Sequence, residues 1–321
     1  MQIKGFDILL TYKCPARCEH CAYNAGPERK GFMKLKDAEK YLKVLTKTQP
    51  IESFAIHGGE PFLYFDILKQ ILEKAKKLGI TESWIITNSF WAKTEEQAEN
   101  KLIDLKKAGL TCITFSVDGF HQKYIPFENA KNAISAATKL NFKRVCIDSY
   151  ILGTLDADNY YNNLTRKAIE NLKEFENIEI NQYQMSISGR ATALVKYVET
   201  NLEIPTGKCQ LPFWIGGNLE APTGIEIDYK GNVTLCTGIR IGNTKKQSLI
   251  EILEGYNCAT NPILSHIYEN GPKGLLKIPE AKEFNQNQKF VNECHLCYEI
   301  RKFLRPFYPQ YLAPKNCYLL T

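Results

Sequence analysis

Cys14, Cys18 and Cys21, in the string TYKCPARCEHCAYN, form the pattern with the most chemistry in this chain. A C-x3-C-x2-C array on one loop can wrap three corners of a cubane iron–sulfur cluster, and the missing fourth protein ligand leaves one iron open to an exogenous molecule. A structural zinc ion takes four protein ligands, commonly as two C-x2-C pairs. His20 is a fourth ligand in sequence, but it sits between two of the cysteines, where reaching the same metal is awkward. A second group follows far downstream: Cys209, Cys236, and the C-x2-C pair Cys294 and Cys297. Four thiols in two separable pairs suit a fully ligated cluster, and they equally suit a structural zinc. Cys258 or Cys317 could stand in for one of them. Cys112 and Cys146 fall in apolar runs and read as packing thiols. That accounts for 11 cysteines, an odd number that does not make a complete disulfide set and points to metal in a reducing compartment.

These cysteines need elements to hold them. Apolar and β-branched runs at Phe6–Tyr12, Ser53–His57, Ser83–Thr87, Cys112–Val117, Val145–Leu152 and Ile178–Met185 predict six strands. Amphipathic helical patterns separate them, with stripes Leu35, Ala38, Leu42, Leu45, then Phe65, Leu68, Leu72, Ala75, then Leu102, Leu105, Ala108. Phe127, Ala130, Ile134, Ala137 and Leu164, Ala168, Leu172 complete the series. Thr94 and Gln97 fit a capping box at the start of the third helix, and Gly79 and Gly109 mark helix ends. Strands alternating with helices require a parallel sheet, here an α/β partial (βα)6 TIM-like barrel over residues 1–195. After Gly189 the rhythm breaks. Residues 196–321 form a smaller domain in which IEIDYKGNVTLC predicts a β-hairpin turning at Lys230-Gly231, followed by helices at Ser248–Gly255 and Glu293–Phe303. The chain of 321 residues is 44% hydrophobic and 24% charged, which excludes disorder, and its net charge of +6 is spread rather than blocked, which does not call for nucleic acid. No apolar run is long enough to span a membrane and the first residues do not form a signal peptide, so a cytoplasmic location is expected.

Short motifs sit after successive strands. The cysteine loop follows the first, Gly58-Gly59-Glu60-Pro61 the second, Thr87-Asn88-Ser89 the third and Ser116-Val117-Asp118-Gly119 the fourth; Gly189-Arg190-Ala191 follows the sixth. In a parallel barrel these are the strand ends where active sites are built. Jointly and in order, across residues 6 to 190, they resemble the radical S-adenosylmethionine (radical SAM) enzymes, whose GGEP, TNG and S-x-D-G elements they match except for Ser89 in place of glycine. The resemblance implies a [4Fe-4S] cluster on Cys14, Cys18 and Cys21 and S-adenosylmethionine on Gly58, Gly59, Glu60, Pro61, Thr87, Asn88, Ser116 and Asp118. Glycines there would let backbone carbonyls approach the ligand, and the Glu60 carboxylate would meet the methionine ammonium. The downstream cysteines and the Gly189-Arg190-Ala191 string resemble the twitch form of the SPASM extension, which implies a second, auxiliary [4Fe-4S] cluster on Cys209, Cys236, Cys294 and Cys297. The spacing between Cys209 and Gly231 is longer than that of the pattern.

The resemblance implies reductive cleavage of S-adenosylmethionine to a 5′-deoxyadenosyl radical and oxidative modification of a peptide or protein side chain, as in maturases of ribosomally made peptides. An electron donor such as flavodoxin or ferredoxin would then be a partner. A small molecule, such as a sugar or a cofactor precursor, is the alternative substrate, since few residues precede the first strand and a separate peptide-recognition domain is not expected there. A non-catalytic zinc or iron–sulfur binding protein is the reading from another class. His121 and Tyr124, on the fourth loop, and Tyr183 and Arg190, on or beyond the sixth strand, are the candidate catalytic residues; His57 beside the glycine motif is a further polar neighbour.

Overall fold

In the computed structural model, which describes residues 1–200 and 203–318, the chain forms two bodies. One holds residues 7–18 and 25–185; the other holds residues 1–6, 19–24 and those from 186 onward. The first body is a series of strand–helix units: β1 (Gly5–Thr11), α1 (Leu35–Thr48), β2 (Ser53–Gly58), α2 (Phe65–Lys77), β3 (Ser83–Thr87), α3 (Glu95–Ala108), β4 (Cys112–Ser116), a short α4 (Gly119–Gln122), α5 (Phe127–Lys139), β5 (Arg144–Ile151), α6 (Tyr160–Leu172) and β6 (Glu179–Gln184). The strands stand side by side in chain order, β6 at the edge, and the pairs from β2 to β6 are parallel. The α/β class and parallel sheet are as the sequence predicts, consistent with a six-unit TIM-like partial barrel.

Local chemistry explains the boundaries. Thr94 accepts a hydrogen bond from the Gln97 amide, so the forward half of the expected capping box opens α3. Gly109, at φ 119°, ends it in left-handed backbone that favours glycine. Helices α1, α2 and α5 bury the stripes read from their sequences except for the first residue of each, Leu35, Phe65 and Phe127, which are half-buried at the helix starts. Helix α6 buries Asn162, Thr165, Ala168, Ile169 and Leu172, a face turned slightly from the Leu164 stripe expected. The cause is polar: the Asn162 side chain accepts from the Leu152 amide and donates to the Leu152 carbonyl, which fixes that face against the end of β5.

Along β5, Val145, Ile147, Ser149 and Ile151 are buried, whereas Asp148 and Tyr150 on the opposite face are half-buried. One face of β5 is thus packed core, and the other carries Arg144, Asp148 and Tyr150 with the buried Cys146 between the first two.

In the second body the hairpin turns as expected: β7 (Gly224–Asp228) pairs antiparallel with β8 (Asn232–Cys236) through Gly231 at φ 80°. Asp228 Oδ1 accepts from the Lys230 and Asn232 amides and fixes the turn. A third strand, β9 (Ile239–Asn243), adds antiparallel to β8. Helix α7 (Leu249–Glu254) opens on a full capping box between Ser248 and Glu251, α8 spans Leu264–Asn270, and α9 (Glu293–Leu304) carries Cys294 and Cys297. Among the described residues no helix is long and apolar enough to cross a membrane.

Candidate functional site

The motif glycines press two loops together. A side chain on Gly59 would place its Cβ 2.2 Å from the Lys13 carbonyl oxygen, and one on Gly58, at φ 145°, 2.4 Å from that of Thr11. The Gly59 amide donates to Thr11 O (2.6 Å) and the Glu60 amide to Lys13 O (2.9 Å). These glycines are therefore needed for backbone of the cysteine loop to lie against β2, not for the approach of a ligand alone, as their sequence suggested. The Glu60 carboxylate is wholly buried and accepts from the Phe62 amide (3.1 Å), Thr87 Oγ1 (2.9 Å) and the Asn88 amide (2.9 Å), so it fastens the ends of β2 and β3. Burial raises its pKa to about 7 against those three hydrogen bonds. Pro61 opens a single turn at Pro61–Tyr64.

Asn88 reaches the cysteines themselves. Its Nδ2 lies 3.4 Å from Cys14 Sγ, an N–H···S hydrogen bond to a buried thiol. Its Oδ1 accepts from the Phe90 amide, which fixes that orientation. Ser89 is fully buried in left-handed backbone (φ 65°), the conformation that suits the glycine of the resembling motif, and its hydroxyl has no partner among the described residues.

Asp118 is fully buried after β4, where its Oδ1 accepts from the amides of Phe120 and His121. Both carboxylate oxygens lie 2.9 Å from His121 Nδ1. Burial pulls the His121 pKa down, while the Asp118 charge and hydrogen bond and the Glu60 charge pull it up, and the net result lies above the ordinary value. Gly119 packs on α6, where a Cβ would meet Tyr161 O at 2.3 Å, and its amide donates to Thr165 Oγ1. A ligand atom of His121 lies within 4.8 Å of Cys18 Sγ. Glu60 and Asn88 thus join the ends of β2 and β3 to the loop after β1, and Asp118 holds His121 beside Cys18.

In the second body Gly189, at φ 58°, packs on the loop of Cys21: a Cβ there would lie 2.7 Å from Cys21 O, which accepts from the Arg190 amide. The downstream cysteines gather. Burial pushes the Cys209 thiol up, and the charges of Cys297, Cys236 and Cys294 push it further. Burial likewise pushes Cys236 to about 12, against the lowering effect of the Arg301 charge. Cys294 is raised by burial and by Cys297. Thiols whose charges raise one another in this way resist ionising together, so the donor set suits a cationic metal core. Burial raises the Cys258 and Cys317 thiols, the charge of Glu220 adding to the first and those of Glu226 and Asp228 to the second. Arg301, one turn after Cys297, is buried and donates to the carbonyls of Cys297 and Thr237 and to Tyr318 Oη.

Each expected catalytic residue has its own neighbours. His121 joins the Asp118 and Glu60 group; Tyr124 is 38% exposed just beyond α4; Tyr183 lies on β6 beside Tyr150, ring centroids 6.1 Å apart; Arg190 is held by the Cys21 loop. His57 Nε2 lies 3.6 Å from Asp7 Oδ2. Sequence reasoning missed Asp148, Asn181 and Arg301. A signal existed for the first, since an acid in an otherwise apolar strand run marks a polar sheet face, and for the last in its i+4 position from a cysteine.

The family model described as "Radical SAM superfamily" matches residues 8–181, more than half of the chain. A "Putative peptide biosynthesis protein YydG" from Bacillus subtilis (strain 168) is 24% identical over 139 residues, 43% of this chain and 43% of the relative. A "7,8-dihydro-6-hydroxymethylpterin dimethyltransferase" from Methanocaldococcus jannaschii is 29% identical over 192 residues, 57% of this chain and 37% of the relative. The chain thus spans less than half the length of these curated relatives. Among solved structures, anSMEcpe with bound AdoMet shares the fold at TM-score 0.53 and 14% identity, covering 96% of this chain and 98% of that one. BtrN in complex with AdoMet and 2-DOIA does so at TM-score 0.52 and 12% identity, covering 85% and 90%.

Proposed function

The chain belongs to the radical SAM superfamily, and we propose that it is a two-cluster member that oxidatively modifies a peptide or protein side chain. The observation that carries this reading is the knot at the strand ends, where Glu60 fastens the glycine motif to Thr87 and Asn88, and Asn88 in turn reaches Cys14. Cys14, Cys18 and Cys21 would hold a [4Fe-4S] cluster with one open iron, and Gly58 to Pro61, Thr87, Asn88, Ser116 and Asp118 would line the S-adenosylmethionine site. When bound there, the cluster and S-adenosylmethionine would supply the chemistry of a 5′-deoxyadenosyl radical, able to take a hydrogen atom from an unactivated C–H bond. The protein's part is to bind, orient and exclude water. Asn88 donates a hydrogen bond to a ligating sulfur, which tunes a cluster's potential, and Asp118 orients His121 beside Cys18.

Cys209, Cys236, Cys294 and Cys297 would hold the auxiliary cluster in a SPASM/twitch-type domain, with buried Arg301 as a fixed positive charge beside it. An electron donor of the flavodoxin or ferredoxin kind would feed the first cluster. The peptide relative in Bacillus supports a peptide substrate; the pterin dimethyltransferase supports a second reading, a small-molecule substrate.

Anaerobic reconstitution separates the two centres. Wild-type protein is expected to hold about eight irons per chain, four per cubane. Cys18→Ala should hold about half and lose S-adenosylmethionine cleavage, whereas Cys294→Ala should also hold about half yet retain some cleavage. Equal loss of cleavage in both variants, or zinc in place of iron, contradicts the assignment.

A further inference from the structure

On the face of β5 that carries Asp148, neighbouring rungs between β5 and β6 are built differently. Near the start of the strands Arg144 makes a paired contact with Glu179, Nε to Oε1 at 2.7 Å and Nη2 to Oε2 at 2.5 Å, and its guanidinium lies over the Trp84 ring at 4.9 Å. That charge is answered. Further along, Asp148 stands directly beside Asn181, whose Nδ2 donates to Asp148 Oδ1 at 3.1 Å. Among the described residues no Lys, Arg or His pairs with Asp148. Its half-buried carboxylate therefore has an amide for a neighbour where the earlier rung has a cation, and burial raises its pKa. After the Asn181 bond, Asp148 Oδ2 and Asn181 Oδ1 remain as acceptors on adjacent strands. The next rung is Tyr150 beside Tyr183, two aromatic rings. On the other side Ser116, the first residue of the S-V-D-G loop, is the register partner of Asp148 on β4.

We propose that Asp148 and Asn181 anchor the substrate through a cationic nitrogen group, a guanidinium being the best match. Two acceptors side by side suit the donor fork of a guanidinium, and the tyrosines beyond them offer the ring faces such a cation favours. The place of this anchor in the reaction rests on the proposed function, because Ser116 would border S-adenosylmethionine; the binding itself does not. The substrate is thereby assigned to molecules bearing an arginine-like side chain near the C–H bond that reacts.

The test titrates reconstituted full-length protein, in the presence of S-adenosylmethionine, with N-acetyl-Gly-Arg-Gly-amide and with the citrulline peptide of the same shape but no charge, read by calorimetry. The arginine peptide should bind at least tenfold more tightly. Asp148→Asn, which keeps the side chain's shape, should erase that preference, and Asn181→Asp, which adds a second negative charge, should enlarge it. Equal affinity for the two peptides, no binding of either, or a preference that survives Asp148→Asn overturns the proposal. Wild-type protein that prefers the arginine peptide but releases no 5′-deoxyadenosine on reduction leaves the anchor standing and strikes the radical chemistry; the reverse strikes the anchor alone.

Discussion

Glu60 concentrates the tension between burial and hydrogen bonding in this protein. A carboxylate with no exposure is held by three donors, yet burial outweighs them and its pKa rises to about 7. A raised folded-state pKa means that the folded protein binds this proton more tightly than the unfolded chain does. The stability it contributes is therefore fully present below the unfolded value near 4.5 and is lost as pH rises through about 7. His121, also raised, acts in the same direction. Metal-free protein is expected to grow less stable in urea between pH 5 and 8. In Glu60→Gln that slope should shrink, although overall stability falls because the Asn88 amide loses its acceptor. A wild-type stability that is flat across this range, or a slope unchanged by the substitution, would count against the burial of a titrating Glu60.

Elements were more legible than contacts. All six strands from β1 to β6 and the β7–β8 hairpin follow from apolar runs and turn residues, because strand patterning is a local property of the chain. Strand β9 was not legible: IRIGN is short, ends in Gly-Asn, and owes its strand conformation to pairing with β8. The motif order placed the site at the strand ends, but the roles within it depend on which backbone lies against which, and no pattern in sequence carries that. Gly59 shows the point, since its reason is the Lys13 carbonyl on another loop. Gly59→Ala should push the cysteine loop away from β2. We expect a loss of roughly 1–3 kcal/mol in stability and poor iron uptake at Cys14, Cys18 and Cys21, with unchanged parallel-sheet content by circular dichroism. Normal iron uptake and stability in that variant would show that the close approach is not required.

At the scale of the whole molecule, the thiols fall into two sets. Cys14 and Cys18 lie in the first body with the glycine, Thr-Asn-Ser and Ser-Val-Asp-Gly motifs, while Cys21, on the same loop, belongs to the second body, where Cys209, Cys236, Cys294 and Cys297 gather around Arg301. The 11 cysteines thus divide by position as well as by number. What the chain does with them rests on the first set acting as a radical-generating centre. The measurement that tests this most directly is 5′-deoxyadenosine, quantified after one-electron reduction of the anaerobically reconstituted protein with S-adenosylmethionine. The account predicts that 5′-deoxyadenosine forms in step with methionine and disappears in Cys14→Ala, Cys18→Ala and Cys21→Ala. Iron-loaded, reduced protein that leaves S-adenosylmethionine intact would contradict it.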